Sequence, residues 1–116
     1  MMTASLLTVN LEQGMPTVEQ AQQRLIVELG RARAAGAKAI KLIHGYGSSG
    51  VGGKLRIGVR QFLGTKKRQN TIKMFVSGED WDIFHADSRE LLESCPDLAK
   101  DRDLGRGNPG ITLVLL

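Results

Sequence analysis

Five glycines fall within the ten residues from His44 to Gly53, His-Gly-Tyr-Gly-Ser-Ser-Gly-Val-Gly-Gly. Glycine loses more conformational freedom on folding than any other residue, so a run this dense belongs to neither a helix nor a strand. It marks a connection in which the backbone turns sharply and comes close to something. The flanks are regular. Ala39 to Ile43 reads as a short strand with Ile40, Leu42 and Ile43 as its apolar core, and from Lys54 a helical period runs through Leu55, Val59 and Phe62/Leu63 to Gly64. A strand delivered through such a loop into a helix is the local grammar of an α/β protein.

The same grammar extends outward. Leu6 to Leu11 forms a first strand, broken by Gly14-Met15-Pro16. Thr17 then caps a helix, with Gln20 completing a capping box and Val18, Ala21, Leu25, Leu29 and Ala32 at helical spacing. Gly36 is its natural stop. Thr71 to Val76 reads as a third strand. The order strand–helix–strand–helix–strand implies a two-layer α/β sandwich with a mixed, mostly parallel sheet. Asp87-Ser88-Arg89-Glu90 has the form of a second capping box before a short helix that Pro96 ends, and Ile111 to Leu116 is a closing strand apolar enough to lie inside the sheet.

At 116 residues with 41% hydrophobic and 24% charged residues, the chain has the content of one globular domain, not of a disordered segment. Residues 1–116 read as a single domain, with 77–106 as a partly helical acidic insertion before the last strand. A lone cysteine, Cys95, fits a reducing compartment and reads as buried. The N-terminus has no secretory pattern and no run reaches the roughly 18 apolar residues of a membrane span, so the expected location is cytoplasmic, with no membrane partner. Charge is divided along the chain. Residues 1–76 carry twelve Lys and Arg against three Glu, whereas residues 77–116 carry four against nine acids. A basic body with an acidic tail segment fits an anionic partner held on one face, and equally fits local charge pairing.

Gly45-Tyr46-Gly47-Ser48-Ser49-Gly50 spells the dinucleotide fingerprint, but the acid expected about 20 residues on is replaced by Thr65-Lys66-Lys67-Arg68. A Walker A loop is excluded as well, because Leu55 follows Gly53-Lys54 where a Ser or Thr is required. The physical content remains. Glycines admit a ligand close to the backbone, free amides at a helix start favour phosphate, and Lys54, Arg56 and Arg60 add positive charge beside them. The alternative is a long connection with no ligand.

At this point the segment IKLIHGYGSSGVGGKLRIGVRQFL resembles the central signature of the Smr (small MutS-related) domain family: His-Gly-x-Gly after a strand, then a glycine loop, then Leu-Arg opening a helix. The positions are His44, Gly45, Gly47, Gly53, Leu55 and Arg56. TVEQA (Thr17 to Ala21) resembles the family's first-helix opening, and GNPGITLVLL its closing turn and strand, through Gly107, Gly110 and Thr112. The resemblance covers about three-quarters of the chain and marks it as a divergent, stand-alone member. It implies a fold like the C-terminal domain of translation initiation factor three. It also implies DNA or RNA binding, with metal-assisted endonuclease activity in some members.

The chain departs from the family where many members carry Leu-Asp-x-His-Gly. Here the stretch is Val9-Asn10-Leu11-Glu12-Gln13-Gly14, with Asn10 in place of the carboxylate and Glu12 at the histidine position. Asn supplies neither a general base nor a charged metal ligand. Binding is therefore expected ahead of catalysis. The expected nucleic-acid-binding residues are Gly45, Tyr46, Gly47, Ser48, Gly53, Lys54, Arg56 and Arg60, with Arg56 matching phosphate and Tyr46 stacking on a base. Each has a structural alternative: an ion pair for Arg56, packing for Tyr46. His44 reads either as a phosphate contact and proton carrier or as a histidine bonded to the loop backbone.

The second reading is a Smr-type endonuclease with His44 and Glu12 as catalytic residues and Mg²⁺ or Mn²⁺; binding alone requires no cofactor. The third is a protein-interaction module using the acidic insertion. There His85 is either a second functional residue or a bystander, with Trp81 and Phe84 pinning the insertion, and Asp97, Asp101 and Asp103 read as a solvated turn.

Overall fold

The computed structural model describes residues 5–46 and 51–116. The chain runs β1 (Leu6–Asn10), α1 (Val18–Ala34), β2 (Ala39–Ile43), α2 (Val51–Arg68), β3 (Met74–Ser77), a 3-10 turn (Gly78–Asp80), α3 (Ala86–Ser94), a second 3-10 turn (Pro96–Lys100) and β4 (Ile111–Leu115). It is an α/β fold with the expected β-α-β-α-β core. Among the described residues no helix is long and apolar enough to cross a membrane.

Local chemistry sets the helix limits. Thr17 Oγ1 accepts the Gln20 amide at 3.1 Å while Gln20 Oε1 accepts the Thr17 amide at 2.9 Å, the full capping box. At the other end Ala37 N–H donates to Ala32 O and Gly36 N–H to Arg33 O, with Gly36 at φ +75°. These are the two bonds of a Schellman cap, and the left-handed residue they require is glycine. The helical period of α2 runs past Gly64 to Arg68, four residues beyond its expected end. A mid-helix glycine weakens a helix without ending it. What ends it is Asn70 at φ +60°, with Thr71 N–H bonded back to Lys66 O. The second capping box does not form. α3 starts one residue early, at Ala86, and Ser88 Oγ instead donates to Asp80 O at 2.7 Å.

Sheet order is β1-β2-β4-β3. β1 and β2 pair in parallel, while β4 pairs antiparallel with both β2 and β3. The expectation of mostly parallel pairing is therefore corrected. Strands β1, β2 and β3 do point the same way, but β4 enters between β2 and β3 and makes two of the three pairings antiparallel. The cause lies in residues 78–110. From Gly78 the chain runs away through α3, whose end Cys95 lies near Ser5, and returns past Gly105, whose amide bonds Trp81 O at 2.8 Å. It thus re-enters the sheet at the edge where β3 left it, and β4 has to run the other way.

Alternation along the strands divides the core. Ile40, Leu42 and Val114 face α1 and α2, meeting Leu25, Leu29, Val59 and Leu63. Ala39, Leu113 and Leu115 face the other way, against Trp81, Leu91, Cys95 and Leu98. The sheet and α1/α2 make the two expected layers, and the 78–110 segment adds a further one on the sheet's second face. β4 is buried along its whole length, as its unbroken apolar run requires. Gly58 lets α1 approach α2, since a Cβ there would overlap Val18 Cγ1.

This topology gathers loops at one edge. The ends of β1, β2 and β3 and the start of β4 meet there, together with the starts of α1 and α2.

Candidate functional site

The edge is organised around His44. Its Nδ1 lies 2.7 Å from Gly45 O and its Nε2 lies 2.8 Å from Thr112 Oγ1. A carbonyl only accepts, so Nδ1 carries the proton and Nε2 accepts from the Thr112 hydroxyl. The same hydroxyl oxygen accepts Arg60 Nε at 3.1 Å. Arg60 then spans to Glu79 through two bonds of 2.9 and 2.7 Å and to the carbonyls of Pro109 and Ile111. The chain Glu79–Arg60–Thr112–His44–Gly45 is satisfied at each link.

His44 has no exposed surface. Burial pushes its pKa down, against the Gly45 bond that raises it, and the charges of Arg60 and Arg56 add to the lowering. The ring is neutral at neutral pH and turned inward, where it fixes the carbonyl of Gly45. The pairing with Arg60 holds the Glu79 carboxyl below its usual range. Stability should accordingly fall between pH 7 and pH 5. An unfolded histidine takes up a proton near 6.5 and the folded one only at lower pH, so the unfolded state binds the extra proton in that window, with a slope of at most about 1.4 kcal/mol per pH unit. Urea unfolding at pH 7, 6 and 5 measures this, and a His44→Asn chain should give a flatter profile.

Around this network stand the other expected residues. Gly45 adopts φ +77°, and a Cβ there would lie 2.5 Å from Glu12 Oε2. The Glu12 carboxylate therefore rests against the loop that His44 holds. Asn10 Oδ1 accepts the Glu12 amide at 2.9 Å, so Asn10 shapes this turn where the family pattern has a carboxylate. The amides of His44 and Gly45 both donate to Gly110 O, at 2.9 and 3.1 Å, which ties the loop's start to the turn before β4. Tyr46 is 56% exposed at that turn. Gly47 and Ser48 lie outside the described residues. Gly53 and Arg56 are partly buried in the first turns of α2, and Lys54 is exposed.

The edge thus brings together Glu12, His44, Gly45, Tyr46 and the start of α2. Arg60, expected to face a ligand, is committed inward with its side chain 17% exposed.

Two expectations on the second face are corrected. Asp101 and Asp103 do not form a solvated turn. Both bond Lys41 Nζ, at 2.6 and 2.5 Å, and the two aspartates and the lysine are largely buried. Trp81 is fully buried and donates its Nε1 to Asp101 Oδ2 at 3.0 Å, but Phe84 is 86% exposed and pins nothing. His85 precedes α3, and its Nδ1 is buried without a hydrogen-bond partner among the described residues. Cys95 is buried as expected, which pushes its thiol pKa up.

Sequence reasoning missed Glu79 altogether, because its partner Arg60 lies 19 residues away with no local pattern linking them. Two signals were available. Lys41 interrupts an apolar strand, and Thr112 is the one polar residue in an apolar run. Each demanded an internal partner.

The model of the Smr domain matches residues 13–82, and the chain belongs to the Smr domain family. Among solved structures it is similar to the crystal structure of the Smr domain of Thermus thermophilus MutS2, at 27% identity and a TM-score of 0.57, over 94% of this chain and 95% of that one. No curated relative matches the chain.

Proposed function

We propose that this Smr domain binds nucleic acid at the sheet edge, through the glycine loop and the basic start of α2. The observation that carries the reading is the charge arrangement there. The first two turns of α2 carry Lys54 and Arg56, the helix contains no Asp or Glu, and the Glu79 carboxylate beside it is cancelled by Arg60. In this reading Lys54 and Arg56 hold phosphate with the amides of Gly47, Ser48 and Gly53, Gly45 shapes the loop with its own amide bonded to Gly110 O, Tyr46 stacks on a base, and Arg60 serves by neutralising Glu79. His44 positions the loop and exchanges no proton with a ligand. Such contacts hold the polymer with weak sequence preference.

The endonuclease reading keeps one supporting observation, the exposed Glu12 carboxylate against Gly45. The donor set does not fit a divalent ion. Among the described residues no group of three or more His, Cys, Asp or Glu side chains is placed to hold a metal ion, and His44 has both nitrogens engaged. No step is assigned to a metal. The protein-interaction reading draws on Ile83 and Phe84, exposed beside Asp80, Asp82 and Asp87.

Titration of fluorescent single- and double-stranded DNA and RNA, at several salt concentrations, separates the three. Binding that weakens with salt and drops about tenfold in Arg56→Ala, with strands intact, supports the first. Mg²⁺- or Mn²⁺-dependent cuts lost in Glu12→Gln support the second. No binding at low salt leaves the Ile83–Phe84 surface and a protein partner.

A further inference from the structure

Leu55, Val59 and Leu63 turn α2 toward the sheet, and the opposite stripe is built differently. Lys54, Ile57, Gln61, Gly64 and Arg68 follow one another at spacings of three and four, so they share one face. Ile57, Gln61, Gly64 and Arg68 line, with Arg60 and Thr65, an open groove of about 550 Å³. Its helix carries six cations and no acid in eighteen residues. Arg68 is braced over the groove by a 3.0 Å bond from Nη2 to Thr65 Oγ1, and Ile57 is 54% exposed.

Gly64 is the informative residue. A helix interior is weakened by glycine relative to alanine. At Gly58 packing requires it, because a Cβ would overlap Val18; at Gly64 a Cβ would meet nothing nearer than Arg68 Nη1, at 3.6 Å. Packing among the described residues therefore does not account for Gly64.

We propose that the stripe from Lys54 through Gly64 to Arg68 is a track for a nucleic-acid sugar-phosphate backbone, with Ile57 against a sugar, Gly64 admitting the closest approach and Arg68 holding a phosphate at the far end. The inference rests on the nucleic-acid reading above and extends it from the loop to the whole helix. Lys54 and Arg68 are about 21 Å apart at 1.5 Å per residue. A strand advancing about 3.4 Å per nucleotide spans that distance in roughly six or seven nucleotides.

The test uses the full chain, fluorescent thymidylate oligomers of about two and about ten nucleotides, and the variants Gly64→Ala and Arg68→Gln. Gly64→Ala should raise Tm by about 4 °C while weakening binding of the longer oligomer at least fivefold and leaving the shorter one unchanged. Arg68→Gln should lower the salt slope for the longer oligomer by about one. Wild-type binding of the longer oligomer by both variants, or equal affinity of the natural chain for both lengths, overturns the track while leaving the loop site standing. If neither oligomer binds the natural chain at low salt, the nucleic-acid reading fails and the track fails with it.

Discussion

Replacing Lys41 with methionine should cost the fold about 3–5 kcal/mol, a large share of the roughly 5–15 kcal/mol that holds a domain of this size. Lys41 projects from the middle of β2 into the second face, where its ammonium meets both Asp101 and Asp103. Burial by itself would push the ammonium's pKa down, but its bonds to the two aspartates outweigh that and leave it raised. The Lys41 bond holds the Asp103 carboxyl below its usual range, and Asn108 Nδ2 adds a bond at 3.2 Å. Methionine fills the stem's volume and removes the charge, so two carboxylates face each other in a poorly hydrated site. The loss should shrink at acid pH, where the stranded carboxylates take up protons, and most of it should be recovered by adding Asp101→Asn and Asp103→Asn, which neutralises the set. Denaturant unfolding of the single and triple variants measures both. A single-variant loss below about 1 kcal/mol would mean the triad is solvated like a surface pair.

Gly78→Ala should do comparable damage by another route. A Cβ on Gly78 would overlap the backbone oxygen of Asn108 and come within 2.7 Å of Ile111 Cγ1 and 2.9 Å of Ile111 O. A backbone oxygen cannot swing aside as the tip of a side chain can, so the Asn108–Ile111 turn has to move. That turn carries Gly110 O, the acceptor for the amides of His44 and Gly45. The expected result is a destabilisation of about 3 kcal/mol, the upper range for an overpacked site, together with weakened ligand binding in whatever remains folded. Gly105→Ala is the control. Gly105 has φ +82° but open space around it, so the change should cost only about 1 kcal/mol and leave binding intact. Equal unfolding midpoints for the Gly78 and Gly105 variants would contradict this account of the turn.

Both predictions concern parts of the molecule that the sequence revealed unevenly. The first helix was readable to its caps, because Thr17, Gln20 and Gly36 act on atoms a few residues away. β4 was readable as an interior strand from its unbroken apolar run, but not its direction, which depends on the round trip of residues 78–110. The acids at Asp101 and Asp103 looked solvated because their partner Lys41 lies some 60 residues earlier, and no local spacing connects them. Phe84 looked like an anchor from its type alone, whereas neighbouring Trp81 takes the buried position. At the site, the motif positions His44 and Gly45 were found, but the direction in which His44 faces was not. That direction is set by Thr112 and Arg60, and of the two readings open for His44 it selects the one in which the ring bonds the loop backbone and holds the loop.

In the proposed function the edge where α2 begins is a phosphate-holding surface. Its most direct test is the salt dependence of nucleic-acid binding by the natural chain and by Arg56→Ala, measured side by side by fluorescence anisotropy. The expected result is a log–log slope that is shallower by about one in the variant, with weaker binding to every sequence tried. Identical slopes and affinities for the two proteins, or no binding by the natural chain at low salt, would contradict it.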